Sequence, residues 1–106
     1  MTTQNNARRI DTNAEDTYWQ SQYQNENYYE AGSKYDDYQG AYRTGYEGYG
    51  RYGDRKFDEV ENDLRNDWER AKGNTQMAWD KAKHAVKAAW HRVERAMPGD
   101  ADGDRR

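Results

Sequence analysis

Apolar and aromatic residues recur along this chain at helical spacing, in successive segments set apart by glycines and capping residues. The most regular pattern lies between Phe57 and Met97. Phe57, Val60, Leu64, Trp68 and Ala71 fall at steps of 3, 4, 4 and 3, one helix face about 80° wide. Trp79, Ala82, Val86, Ala89, Trp90, Val93, Ala96 and Met97 then share an arc of about 120°. Lys81, Lys83, Lys87, Arg92 and Arg95 occupy the rest of that wheel. Asp54 is placed to cap the first of these helices and Gly73 to end it. Asn74 is placed to cap the second, and Pro98 with Gly99 to stop it. One turn between them predicts an antiparallel hairpin, on which the rest of the chain is expected to pack.

Upstream the periodic residues are tyrosines. Tyr35, Tyr38, Tyr42, Tyr46 and Tyr49 repeat the 3-4-4-3 steps and again fill an arc of about 80°. Ser33 with Asp36 is a capping pair before them. Five glycines oppose the helix: Gly40, Gly45, Gly48, Gly50 and Gly53. Each costs about 1 kcal/mol relative to alanine, so the last turn, around Gly48 to Gly53, is expected to fray. Glycine also permits close approach of another helix. A low-complexity reading, with Tyr42, Arg43, Arg51 and Tyr52 as weak multivalent contacts for RNA or other copies, has no need of so regular a spacing. Before this segment, Asn13 and Asp16 suggest a cap, Gly32 a stop, and Tyr18, Trp19, Tyr23 and Tyr29 a weaker face. The expected fold class is therefore all-α, a small bundle of three or four short helices at about 14–31, 34–50, 55–72 and 75–97. A disordered tail at 1–13 and a charged tail at 98–106 flank it.

Composition changes the picture of the core. Leu, Ile and Phe occur once each and Val three times, against ten Tyr and four Trp. Mean hydropathy is −1.65, close to the range where burial fails to offset chain entropy. Aromatic rings bury roughly 150–250 Å² each, so the interior must be built from them. No cysteine is present, so disulfides and thiolate metal sites are excluded. The short apolar runs and polar N-terminus predict a soluble, cytoplasmic protein without a transmembrane segment. A net charge of −3 argues against a general nucleic-acid coat, yet residues 75–97 carry 5 basic and 2 acidic groups.

The order of residues resembles a family of small bacterial proteins found with general-stress domains or among stress-associated genes. The resemblance rests on Tyr38, Ala41, Tyr42, Arg43, Gly45 and Tyr46, then Arg51 and Tyr52. It continues through Phe57, Val60, Glu61, Leu64, Arg65, Trp68 and Glu69 to Trp79, Lys83, Ala85, Ala89, Trp90 and Val93. It covers about residues 18–97; Gly48 and Gly50 depart from the family's pattern. It implies a folded, non-catalytic, stress-associated bacterial protein, and it supplies no active-site residue.

Candidate chemistry is sparse. His84 and His91 stand seven residues apart on one flank, about 10 Å, too far to share an ion. Asp80 lies four residues before His84, and Glu94 three after His91. Asp100, Asp102 and Asp104 alternate like the opening ligands of a calcium loop, but Arg105 stands where glycine is required. No nucleophile–base arrangement, phosphate loop or dinucleotide fingerprint is present, so neither enzyme, cofactor nor metal is expected. The expected function is a hydrophilic stress-associated protein acting through protein contacts or self-association, with Tyr35, Tyr38, Tyr42, Tyr46 and Tyr49 as the interaction face. The alternative is a nucleic-acid or anionic-surface module using Lys83, Lys87 and Trp90 on the last helix. No small-molecule substrate is evident.

Overall fold

The computed structural model describes residues 10–96, in which four α-helices follow one another: α1 (Thr12–Gln22), α2 (Tyr35–Tyr52), α3 (Phe57–Ala71) and α4 (Trp79–Ala96). A 3-10 turn, η1 (Tyr23–Asn25), follows α1, and no strand occurs among the described residues. The greater part of the expected N-terminal tail, Met97, the Pro98–Gly99 stop and the aspartates of the C-terminal tail lie outside the described residues.

The helix that organises the bundle is α2, and its chief partner is α4, while α3 and α1 also pack on α2 and α3 meets α4 only sparsely. The expected antiparallel pairing of α3 and α4 is present, with Phe57 on Trp90, Glu61 on Lys83 and Trp68 on Trp79, but the tyrosine–glycine helix packs across both and makes the closer contacts. Its glycines explain why. A Cβ on Gly45 would lie 2.3 Å from the Val86 carbonyl oxygen and 2.7 Å from Ala89 Cβ. One on Gly40 would lie 2.7 Å from the Ala71 carbonyl oxygen, at the end of α3. With alanines at 82, 85 and 89 all fully buried, α2 and α4 approach more closely than larger side chains allow. That close packing outweighs the propensity penalty of the glycines.

The interior is aromatic, as the composition requires. Tyr38, Tyr42, Tyr49, Trp68 and Trp90 are the largest fully buried side chains, joined by Leu64, Val60 and Val86. At one end Trp19 of α1 stacks on Tyr42, centroids 4.4 Å apart at 9°, and Tyr23 lies against Tyr35 and Tyr38. At the other, Tyr49 and Phe57 each meet Trp90 edge-on, at 5.2 and 5.7 Å. Buried hydroxyls find partners. Tyr28 and Tyr42 share a bond of 2.7 Å, Tyr35 donates to Asp16 Oδ1 at 2.6 Å, and Tyr38 Oη accepts from the Glu30 N–H at 3.1 Å.

Helix ends differ from the sequence reading, each for a local reason. The cap of α1 is Asp11 rather than Asn13, its carboxylate accepting the Ala14 N–H at 3.0 Å. This helix ends at Gln22, short of 31, because residues 23–34 turn back to lay Tyr23, Tyr28 and Tyr29 over α2. Gly32 completes that reversal at φ +91°. At the start of α2, Asp37 accepts the Lys34 N–H at 3.0 Å, displacing the expected Ser33–Asp36 pair. Glu59 does the same for Lys56 at 2.9 Å in α3, where Asp54 was the expected cap. The final turn of α2 does not fray: Arg51 and Tyr52 both reach Asp67 of α3, at 3.1 and 3.0 Å. Gly73 does turn the chain, at φ +68°. Yet α4 begins at Trp79 rather than Thr75, because Thr75 Oγ1 takes the Met77 N–H and holds the intervening residues out of the helix.

Candidate functional site

The expected interaction face of tyrosines is interior. Tyr35, Tyr38, Tyr42, Tyr46 and Tyr49 are all buried, and Trp90 is 1% exposed. Periodicity identified a helix face correctly, but a face that docks and a face that stays free have the same sequence pattern. These residues therefore offer no contact surface in this fold. Lys83 is likewise engaged within the bundle, its Nζ 3.0 Å from Glu61 of α3. This hydrogen bond, aided by the Trp79 indole N–H, holds the Glu61 carboxyl below its ordinary range. Of the candidate residues, Tyr49, itself buried, borders a concavity near Gly53, while Lys87 is exposed and lines another beside α4.

That concavity is a groove of about 410 Å³ between α4 and the segment running from α1 through η1. Tyr18, Tyr28, His84, Lys87, Arg92 and Arg95 line it. Trp19, His91 and the single carboxylate Glu26 contribute further wall. Helical spacing on α4 builds the stripe, since residues 84, 87, 91 and 95 recur every three or four positions and so share one side. Opposite them, the C-terminal half of α1 and the reversal at 23–34 carry Tyr18 and Tyr28 into place.

Each ring in the groove has a defined partner. Tyr28 and His84 lie nearly parallel, 14° apart with centroids at 6.0 Å. The Arg92 guanidinium sits over the Tyr18 ring at 3.5 Å, and its Nε pairs with Glu15 at 3.0 Å. His91 Nδ1 lies 3.0 Å from Glu94, and its ring rests near Phe57. Lys87 Nζ lies 5.7 Å from the Phe57 ring centroid. Among the described residues, Lys87 and Arg95 enter no direct ion pair, and the charge of Lys87 is felt by Glu61 of α3. Trp19 is 3% exposed, and its indole N–H has no acceptor among the described residues.

In two other concavities the charges pair with one another. One of about 540 Å³, between the 30s and 70s loops, is lined by Glu30, Asp37, Thr75 and Lys81. There Lys81 is paired to Glu30 and Thr75 donates to Asp37. Another, of about 600 Å³, holds Arg43, Glu47, Arg51, Asp67 and Arg70, which pair with one another. In the α4 groove His91 is the histidine that a carboxylate orients, Glu94. Both serines lie elsewhere, Ser21 donating to the Tyr18 carbonyl and Ser33 bonded to Glu30 and Tyr38. Among the described residues no group of three or more histidines and carboxylates is placed to hold a metal ion.

The sequence reading found Lys87 and the histidines but missed Tyr18, Tyr28 and Arg92 as parts of one site. The two tyrosines lie 56 or more positions from His84 along the chain, and no local pattern signals that pairing. No family model, curated protein or solved structure matches the chain.

Proposed function

We propose that this chain is a non-catalytic binding module that holds an anionic partner in the groove between α4 and the α1–η1 segment. The observation that carries the reading is a pair of cations, Lys87 and Arg95, without a direct ion pair among the described residues, beside half-buried and exposed rings in the same groove. The protein as a whole bears −3, so a local positive stripe selects where an anion docks rather than drawing anions everywhere. The resemblance noted in the sequence adds the setting, a bacterial stress response. Self-association through the tyrosine face loses its support, since those rings are inside.

Titration of the full chain into fluorescently labelled polyphosphate, followed by anisotropy at several salt concentrations, tests this. Binding at low salt should weaken steeply as salt rises. Charge reversal of the pair, Lys87→Glu with Arg95→Glu, should lower affinity at least tenfold with the helical circular dichroism unchanged. Lys83→Glu should do less, because Lys83 faces Glu61 rather than the groove. Absence of binding at low salt, or binding untouched by the double reversal, would overturn the proposal.

A further inference from the structure

The groove is more specific than an anion trap. We infer that it takes single-stranded nucleic acid, with Lys87 and Arg95 on phosphates and the Tyr28–His84 and Tyr18–Arg92 pairs as platforms for bases. The inference rests on the anionic reading above and adds the chemical class of the partner.

Three features point the same way. First, the cations divide by role. Arg92 is already neutralised by Glu15 and covers one face of Tyr18 at 3.5 Å, so a cation and a ring are held together as one layered unit. Guanidinium planes and aromatic rings are the surfaces on which unpaired bases stack. Lys87 and Arg95 have no carboxylate paired to them, which suits them to phosphate oxygens.

Second, the ring faces are present and reachable. His84 is exposed, and its ring runs almost parallel to that of Tyr28. The phenol of Tyr28 is fixed by its bond to Tyr42, so the platform is set before any ligand arrives. Every base has a π-face, so such a site tolerates sequence. A free phosphate chain or a lipid headgroup would have no use for these rings.

Third, the dimensions fit a strand and not a duplex. The stripe from His84 to Arg95 is 11 residues of helix, about 16 Å long. That length accommodates about four or five stacked nucleotides at ~3.4 Å each. A groove of about 410 Å³ closed on one side by α1 admits one strand, whereas a duplex meets proteins through helices placed in its wider major groove. Glu26 is the opposing charge in the wall, its carboxylate engaged by the Gln22 amide at 2.7 Å.

The experiment compares a single strand with an abasic strand of equal charge and with two other polyanions. A labelled mixed-sequence DNA strand of about ten nucleotides is titrated with the full chain, beside an abasic strand of the same length, the corresponding duplex, and phosphatidylglycerol vesicles. Single-stranded DNA should bind at least tenfold more tightly than the abasic strand. His84→Ala should narrow that ratio, and His84→Phe, which keeps a flat ring, should restore it. Glu26→Gln should tighten binding of the strand. Equal affinity for the abasic strand overturns base recognition and leaves the anionic groove standing. Failure of every probe at low salt overturns both. Duplex or vesicles bound as tightly as the single strand would also refute the inference.

Discussion

Gly45 shows how a single residue can invert the usual effect of a substitution. In an exposed helix interior, Gly→Ala gains about 1 kcal/mol. Here the added methyl would meet the Val86 carbonyl oxygen, a backbone atom of α4 that has no rotamer to yield. Gly45→Ala is therefore expected to destabilise the fold by about 1–3 kcal/mol, the cost of overpacking. Chemical denaturation of the two proteins checks this, and a more stable alanine variant would mean that α2 and α4 are not in contact at this point. Gly48 differs in kind, because its nearest neighbour is the Leu64 side chain, which can shift. The indoles supply a second residue-scale lesson. Trp19 and Trp68 bury N–H groups without acceptors among the described residues, a cost of about 1–3 kcal/mol each set against the area their rings remove from water.

Among the elements, α1 is the one attached by the fewest groups. Its hold on the bundle includes Trp19 on Tyr42, Asp16 on Tyr35 and Gln39, and Glu15 and Tyr18 on Arg92. Trp19 is its only buried residue. Trp19→Ala should cost about 3–5 kcal/mol, and the loss should fall first on α1. Native-state hydrogen exchange on the variant is expected to show α1 amides losing protection ahead of those in α2 and α4. Uniform loss across all four helices would place α1 in the cooperative core instead. Since α1 also forms one wall of the groove, the same variant should weaken binding of the single strand. The centre of the bundle behaves oppositely, because α2 touches every other helix and any cut there removes the whole.

For the whole molecule, a core of tyrosines makes stability sensitive to alkali. Burial raises the phenols of Tyr28 and Tyr42, with their mutual bond adding to the shift at Tyr28. Burial and then the bond to Asp16 raise Tyr35, and burial pushes Tyr46 to about 12. In the unfolded chain these groups ionise near pH 10. Above that value the unfolded chain releases protons that the fold retains, so rising pH favours unfolding. Stability should be whole below about pH 10 and fall as pH climbs toward the value of about 12 at Tyr46. Tyrosinate absorbance and loss of helical dichroism should appear together in that window. Titration of most phenols near pH 10 with the helices intact would show that the rings are open to water. An aliphatic core of the same size would have no such limit.

How much of this was legible beforehand follows from what periodicity can carry. The steps of 3 and 4 through Tyr35–Tyr49, Phe57–Ala71 and Trp79–Val93 determined three amphipathic helices, because those positions share a face whatever that face meets. The scarcity of leucine, isoleucine and valine determined that rings would fill the interior. The partner of each face was left to the tertiary structure. A buried stripe of tyrosines and an exposed one are written alike, and only the approach allowed by Gly45 and Gly40 set α2 across both α3 and α4. The groove, likewise, needed the chain to reverse at residues 23–34 before Tyr28 could reach His84. Local spacing sets which side chains stand together on one helix; contacts between distant segments depend on where whole helices come to rest.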